Sequence, residues 1–256
     1  MKLITLNLWG GRIYGELSKF LKAKKNTVDI FCFQEVLSAK SVPTDEAMEI
    51  KRIYQKNEPD EVRDLYQRIK GILIGFNSFI SKPYSEGSER LAMFIRSGLE
   101  ADVKSISVHK QISVPYDGKY YSVGSSMQYA KVHYNGYLYL IANIHGLWQG
   151  GGKGDTPERI EQSKNILKIM SRFGDRRILC GDFNLDISTE SVHMLENEMK
   201  NLVRESKVSS TRGPLAPTSK GKFADYIFTS PSIKVKEFKV LKDIVSDHLP
   251  LYIDFE

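Results

Sequence analysis

The chain has 256 residues and a formal net charge of +6, and its composition is 41% hydrophobic and 27% charged. These values are ordinary for a folded protein, so they exclude an intrinsically disordered chain, a collagen-like repeat and a small disulfide scaffold. No apolar run approaches the roughly 20 residues that a membrane-spanning helix needs, since the longest uncharged apolar stretches, such as residues 137–144, have the length of a strand.

The N-terminus and the cysteines favour a cytoplasmic location. The apolar stretch at the start is short and no small-residue cleavage site follows it, so it is a poor match to a secretory signal peptide. Cys32 and Cys180 each lie inside an apolar run, which favours two buried small side chains over a disulfide or a pair of ligands. We therefore expect a cytoplasmic protein with no stable membrane association.

The N-terminal part of the chain predicts a strand–helix–strand unit followed by a second helix. Residues 2–8 and 28–33 are rich in β-forming side chains, and the amphipathic stretch 14–24 lies between them. Residues 61–69 carry apolar side chains at a spacing of three and four, which is typical of a helix with one buried face.

The middle of the chain is dense in predicted strands, at residues 91–96, 103–109, 120–124, 127–133 and 137–144. Asn135 and Gly136 separate the last two, and this dipeptide is a strong hairpin signal. The short connections indicate antiparallel pairing rather than a wholly parallel sheet.

Further on, Thr156 and Pro157 predict the N-cap and first residue of a helix that ends near residue 172. A short helix is expected at residues 189–196, and strands are expected at residues 177–180, 223–229, 234–240 and 249–255. No linker divides the chain, so residues 1–256 form one predicted domain. The strands outnumber what a single sheet would need, which favours an α+β fold of two packed mixed sheets with helices outside.

Polar side chains follow these apolar strands at their ends, where a rigid sheet presents functional groups. Each has an ordinary structural explanation alone, but six strand ends that all carry such residues are hard to attribute to chance. Asp225 is expected to be partly buried and therefore to need a partner. The strand-end residues are Asn7, Gln34, Glu35, Asn143, His145, Asp182, Asn184, Asp225, Asp247 and His248.

Six sequence blocks resemble, in order, those of the endonuclease/exonuclease/phosphatase superfamily, which includes deoxyribonuclease I-like and exonuclease III-like metal-dependent phosphodiesterases. The resemblance covers essentially the whole chain, and the GDFN and SDH blocks are specific when they occur with QE. It implies a four-layer α/β/β/α sandwich, in agreement with the strand pattern. The blocks are residues 5–10 (TLNLWG), 33–35 (FQE), 143–146 (NIHG), 181–184 (GDFN), 224–227 (ADYI) and 246–251 (SDHLPL).

The resemblance implies a metal site and a water-activating group. Glu35 matches the principal Mg²⁺ ligand of the family, with Asn7 beside it and Asp247 contributing. Oxygen ligands of this kind suit Mg²⁺, and Mn²⁺ is expected to substitute for it. Asp182 matches the general base that orients or deprotonates the attacking water.

The remaining motif residues are implied to bind and stabilise the phosphate. Asn184 matches the donor to a phosphate oxygen, and His145 is implied to bind phosphate or to help the leaving group. His248 is implied to stabilise the transition state, oriented by Asp225. A carboxylate beside this histidine is expected to raise its pKa and keep it cationic near neutral pH.

Three functions remain open at this stage. A divalent-metal-dependent phosphodiesterase that is a nuclease or DNA-end-processing enzyme is preferred, because residues 200–242 hold ten Lys or Arg against three acidic residues and would attract a polyanion such as DNA. That segment would equally serve as a solvated face. The alternatives are a phosphoesterase for a lipid (sphingomyelinase-like) or small phosphorylated molecule, and a non-catalytic binding module. A monomer is expected.

The glycine-rich segment 149–154 superficially resembles a nucleotide phosphate-binding loop. Its spacing excludes that motif, because Leu147 stands five residues before Gly152 and Gly154 replaces the Ser or Thr after the lysine. We expect either a mobile loop that lets Trp148 and Lys153 touch substrate, or a flexible connector.

Overall fold

The computed structural model describes residues 1–38, 60–84, 89–116, 118–150 and 152–256. Within these residues, six strands form a first mixed sheet in the order β11-β12-β1-β2-β4-β3. Strand β1 is parallel to β2, and the other neighbours are antiparallel. The bounds are β1 Lys2–Asn7, β2 Ile30–Val36, β3 Phe76–Ile80, β4 Arg90–Arg96, β11 Val235–Val240 and β12 Leu251–Phe255.

A second six-stranded mixed sheet, again counted over the described residues, has the order β5-β6-β7-β8-β10-β9. Here β7 is parallel to β8, and the other pairs are antiparallel. The bounds are β5 Glu100–Tyr116, β6 Lys119–Tyr134, β7 Tyr137–His145, β8 Arg177–Asp182, β9 Lys200–Asn201 and β10 Asp225–Thr229.

The sheets pack face to face, and helices cover their outer faces. Leu3 lies in the core between the sheets, whereas Ile4 packs on the helix side, because successive strand residues point to opposite faces. Both faces are therefore apolar, which explains why the central strands are nearly continuous hydrophobic runs. The helices are α1 Tyr14–Lys24, α2 Leu65–Ile72, α3 Pro157–Met170, α4 Glu190–Glu196 and α5 Leu202–Glu205.

The four-layer sandwich is confirmed, with local differences from the sequence prediction. The predicted strands 103–109, 120–124 and 127–133 are parts of two long strands, β5 and β6, whose pairing shifts register between Ser107 and Ile112. Strand β3 was not predicted. Helix α2 begins at Leu65, later than expected, and α3 ends at Met170.

The predicted strand-end residues lie together at one end of the sandwich. Asn7 pairs with Gln34 in the first sheet, and His145 and Asp225 both pair with Asp182 in the second. We call this end the active edge.

The two sheets are joined below the active edge by buried amides. Gln34 Nε2 donates to Asn143 Oδ1 (2.6 Å), and Asn143 Nδ2 donates to the Phe33 carbonyl (3.1 Å). Two of the strand-end polar residues therefore fix the sheets against each other and have a structural role.

The β5–β6 hairpin continues past the active edge. Ser126 pairs with His145, and the remainder of the hairpin projects beyond the end of β7. Its Val114 and Val123 pack on Leu147 in a small apolar cluster. The hairpin therefore forms a wall beside His145.

Two further predictions can be compared with the structure. Cys32 and Cys180 are buried and carry free thiols, as expected. In the described part of the chain, no helix is long and apolar enough to cross a membrane.

Candidate active site

Asp182 lies at the centre of the active edge. Its Oδ2 accepts a hydrogen bond from Asn7 Nδ2 (2.9 Å) and lies 3.6 Å from His145 Nε2 and 3.7 Å from His248 Nε2. Burial alone would raise the pKa of Asp182, but the positive charges around it, led by that of His248, hold the pKa well below its ordinary value. The carboxylate is therefore ionised and presents one oxygen between two imidazoles.

The backbone around Asp182 depends on a glycine. Gly181 has φ +134°, and a Cβ at this position would lie 2.1 Å from the Ile144 carbonyl oxygen of the neighbouring strand. Only glycine permits so close an approach of two backbones. Asn184, with φ +55°, then turns back so that its backbone N–H donates to Asp182 Oδ1 (2.8 Å).

His248 and Asp225 form a buried pair on one side of Asp182. His248 Nδ1 lies 2.9 Å and 2.8 Å from the two carboxylate oxygens of Asp225. Burial alone would lower the pKa of His248, but the carboxylates of Asp225, Asp247 and Asp182 together raise it above its ordinary value. The predicted orienting contact is present, and the raised pKa favours an imidazolium.

Glu35 and Asn7 lie on the first sheet, opposite this pair. Glu35 has φ +54°, a left-handed conformation that is costly for a residue with a side chain. Burial, followed by the nearby charge of Glu89, raises its pKa. Asn7 Nδ2 donates to Glu35 Oε1 (2.9 Å), while Asn7 Oδ1 accepts from the Trp9 backbone N–H (2.9 Å).

His145 and Asn184 lie on the third side of Asp182. Asn184 Nδ2 is 3.1 Å from His145 Nε2 and donates to the Gly146 carbonyl (3.1 Å). The other ring nitrogen, His145 Nδ1, is 2.6 Å from the Tyr84 hydroxyl. Burial raises the pKa of Tyr84 well above its ordinary value, so its hydroxyl stays protonated.

Comparison with models of known protein families identifies the family of this chain. The model of the Endonuclease/Exonuclease/phosphatase family matches residues 4–248, which include the strand-end residues described above. The chain is a member of this family. A comparison with curated proteins found no match.

Solved structures of family members share the fold over the whole chain. An endonuclease/exonuclease/phosphatase from Bacteroides vulgatus has 16% identity and a TM-score of 0.71, covering 100% of this chain and 98% of the other. A mannosyl-6-phosphatase from Bacteroides thetaiotaomicron has 17% identity and a TM-score of 0.71, with coverage of 100% and 99%. TDP2 from D. rerio, complexed with single-strand DNA product, has 15% identity, a TM-score of 0.63 and coverage of 100% and 98%.

Members of this family hydrolyse phosphoester bonds and typically use a divalent metal, and the acidic groups of this chain fit such an ion. Ligand atoms of Glu35, His145 and Asp182 lie within 4.8 Å of one another. Their carboxylate oxygens are the donors that Mg²⁺ and Mn²⁺ prefer. A cation there would also offset the burial and the nearby negative charge that raise the pKa of Glu35.

The other two predicted metal ligands have different contacts from those expected. Asn7 faces Glu35 and Asp182 with its amide nitrogen, which has no lone pair for a metal, so it holds the two carboxylates together. Asp247 Oδ2 accepts from Arg212 Nη2 (2.6 Å). Its charge also contributes to raising the pKa of Glu35.

Arg212 is a residue of the active edge that was not predicted as a site residue and was counted only in the basic segment. Arg212 is buried, and its guanidinium contacts both His248 Nε2 and the carboxylate of Asp247. The sequence around Arg212 gives little indication of this role, because its two contact residues lie 35 and 36 positions further along the chain. Tyr84 was also missed, since 61 residues separate it from His145.

The glycine-rich segment is held in place in this structure. Arg159, only 2% exposed, donates from Nη2 to the Gly152 carbonyl (2.8 Å) and from Nη1 to the Gly154 carbonyl (2.6 Å). The Lys153 carbonyl accepts from the Asp186 N–H (2.8 Å). These bonds fix the loop on both sides of Lys153, so the expectation of a mobile loop or flexible connector is wrong for this part of it.

The basic segment 200–242 does not form one surface beside the site. Lys200 pairs with Thr229, at the end of β10 opposite Asp225. Lys234 and Lys236 lie at the corresponding far end of the first sheet, where both pair with Glu256. The basic residues of this segment are therefore divided between the far end of the strands and the active edge, where Arg212 lies.

Proposed function

We propose that the chain is a divalent-cation-dependent phosphoester hydrolase in which Asp182 orients the attacking water. The observation that carries this proposal is the placement of one ionised carboxylate oxygen between His145 Nε2 (3.6 Å) and His248 Nε2 (3.7 Å). Hydrolysis at phosphorus needs a positioned water and donors for the charge that develops on the phosphate oxygens.

Asp182 acts mainly by orientation. A carboxylate whose pKa is held low is a weak base in the ground state, and it accepts the water proton as the new P–O bond makes that proton acidic. The Asn184 N–H and the Asn7 amide hold the carboxylate in one orientation. Asp225 raises the pKa of His248, and the cationic form donates from Nε2 to a phosphate oxygen once the Arg212 guanidinium, which has only donors and contacts Nε2, turns toward the phosphate as well.

Glu35 would hold the divalent cation together with Asp182, and Mg²⁺ or Mn²⁺ suits this oxygen set. When bound, the cation neutralises charge on the phosphate and acts as a Lewis acid. Arg212 and Lys153 add positive charge on the two sides of Asp182. The chain thereby surrounds its carboxylates with enough donors to accept an anionic ester.

For the substrate, we propose a phosphodiester at the end of a nucleic acid strand, with DNA favoured by the net positive charge. The β5–β6 hairpin projects beside His145 and would obstruct a duplex that continues past the site. This position favours the end of a nucleic acid strand as the substrate. TDP2, which has the same fold, is recorded with a single-strand DNA product.

A small phosphorylated molecule is the second candidate. The observation that favours it is the distance of Lys200, Lys234 and Lys236 from the active edge, which leaves fewer cations for a long polyanion. The mannosyl-6-phosphatase with the same fold acts, by its name, on a phosphosugar.

The two candidates are separated by a substrate panel with Mg²⁺. It contains end-labelled single- and double-stranded DNA, an abasic strand, a 5′-blocked strand and small chromogenic phosphate mono- and diesters, with Asp182→Ala as the inactive control. A DNA substrate predicts strand-end products and an affinity that falls steeply with salt, because several phosphates are contacted. Hydrolysis of small esters alone, with weak salt dependence, would replace DNA by the second candidate.

A further inference from the structure

Trp9 lies at the active edge in a backbone conformation that is unusual for a large side chain. Its φ is +50°, and Gly10 and Gly11, which follow it, also have positive φ values of +60° and +75°. A non-glycine residue with positive φ is strained, and a bulky one is a genuine outlier. Glycine would adopt this turn without strain, so the presence of a tryptophan requires an explanation in its side chain.

The turn places Trp9 beside the end of β2, which carries Glu35. Asn7 pairs with Gln34, the Leu8 N–H donates to the Gln34 carbonyl (3.0 Å), and the turn packs against β2. The Trp9 N–H then donates to Asn7 Oδ1 (2.9 Å). Because this bond needs only the backbone of residue 9, the placement of Asn7 does not account for the indole.

A buried arginine supports the indole ring from one side. The Arg12 guanidinium carbon lies 5.5 Å from the centre of the Trp9 ring, within the roughly 6 Å of a cation–π contact. Arg12 Nη2 donates to Glu61 Oε1 (3.0 Å), and the arginine side chain is only 3% exposed. The tryptophan itself stays partly exposed. A supported, partly exposed aromatic ring beside a phosphate site is suited to stack on a flat ligand.

We propose that Trp9 is a substrate-binding residue that stacks on the base of the terminal nucleotide, on the Glu35 side of the site. The proposal rests on the proposed function and names the contact that selects a nucleotide over a phosphorylated sugar. The charged groups around Asp182 bind the phosphate, which both kinds of compound carry, so recognition of the base needs a separate surface. Every base has a π-face, so this contact would accept any base at the strand end.

The test compares the binding of thymidine 5′-monophosphate and 2-deoxyribose 5-phosphate, which differ in the presence of the base. Calorimetry is carried out with Mg²⁺ on Asp182→Asn as the parent protein, because this change slows hydrolysis of the compounds. The parent is expected to bind the nucleotide about 5- to 100-fold more tightly, which is the range for stacking of one base. Trp9→Phe should keep most of this preference, and Trp9→Gly should abolish it without changing the affinity for the sugar phosphate.

A second measurement separates a binding role from a packing role. Trp9→Gly removes the backbone strain, which offsets the lost contact with Arg12, so its melting temperature should be no lower than that of the parent. Asn135→Gly is the matched control, because Asn135 also has a positive φ (+49°) but lies in the β6–β7 turn, at the opposite end of β7 from His145. This control should keep the preference for the nucleotide.

The outcomes distinguish the two proposals. Equal affinity of the parent for both compounds, or a preference that Trp9→Gly retains, would overturn the role of Trp9 and leave phosphoester hydrolysis standing. A melting temperature of Trp9→Gly several degrees below that of the parent would overturn it in favour of a packing role. A parent that binds neither compound would show that the phosphate site itself is wrong, and both proposals would then fail.

Discussion

The pairing of Asp225 with His248 makes a prediction about pH. In the wild type, His248 is cationic at and below its raised pKa, and the cation is lost as the pH rises through that value. Asp225→Asn keeps a hydrogen bond to Nδ1 but removes the carboxylate that contributes most to raising this pKa, so the pKa of His248 falls. A smaller fraction of His248 is then cationic, and the deficit relative to the wild type grows as the pH rises.

The size of the effect follows from the burial of the pair. Both residues are only 3% exposed, and Nδ1 lies 2.8 Å and 2.9 Å from the carboxylate oxygens. A positioned acid or base of this kind typically contributes about 10²- to 10⁴-fold to the rate. We therefore expect kcat/KM to fall about 10²- to 10³-fold at pH 8 and about tenfold at pH 6.

The assay is the pH dependence of kcat/KM for the ester that the wild type hydrolyses fastest, from pH 6 to pH 8. Asp102→Asn, which changes a carboxylate with a side-chain exposure of 57% on β5, is the matched control and should follow the wild-type profile. Equal losses for Asp225→Asn at both ends of the range would refute the account of His248 as a cation maintained by Asp225.

Three further changes test other parts of the structure. Arg159→Met should lower the free energy of unfolding by about 2–4 kcal/mol, because it removes three hydrogen bonds to backbone carbonyls. A loss below about 0.5 kcal/mol, measured by urea unfolding, would contradict this expectation. Gly181→Ala should cost about 3 kcal/mol or more, since its Cβ would lie 2.1 Å from the Ile144 oxygen, and a wild-type urea midpoint would disprove that contact. Glu35→Gln should weaken Mg²⁺ binding at least about tenfold by calorimetry, and unchanged affinity would remove Glu35 from the metal site.

The strand-end residues could be predicted from sequence because they follow a local rule. A buried strand such as β8 is a run of apolar residues, and Asp182 marks the point where it leaves the core. The four-layer sandwich followed from the number of such strands. Pairing within the long hairpin could not be predicted, because Gly124 suggests a break. In the structure the glycine instead permits close packing, since a Cβ there would lie 2.9 Å from the Tyr84 carbonyl oxygen.

The residues that were missed reach the site from loops. Arg212 and Tyr84 contact histidines that are distant in sequence, so only the packed fold reveals them. The basic segment is the reverse case, because residues that are close in sequence lie apart in the fold. Charges that are adjacent in sequence, such as Lys236 and Lys239, are distributed along an edge strand and pair with Glu256 and Glu237. Linear charge density therefore overestimates a binding surface when the segment contains strands.

The most direct test of the central claim is phosphoester turnover by the wild type and by Asp182→Asn, measured against Mg²⁺ concentration and in EDTA. The account predicts saturable Mg²⁺-dependent turnover in the wild type, none in EDTA, and a loss of at least about 10²-fold in the variant at saturating Mg²⁺. Asn keeps the shape of Asp182 but cannot accept the water proton. Turnover that persists in EDTA, or a variant as active as the wild type, would contradict a metal-dependent hydrolysis centred on Asp182.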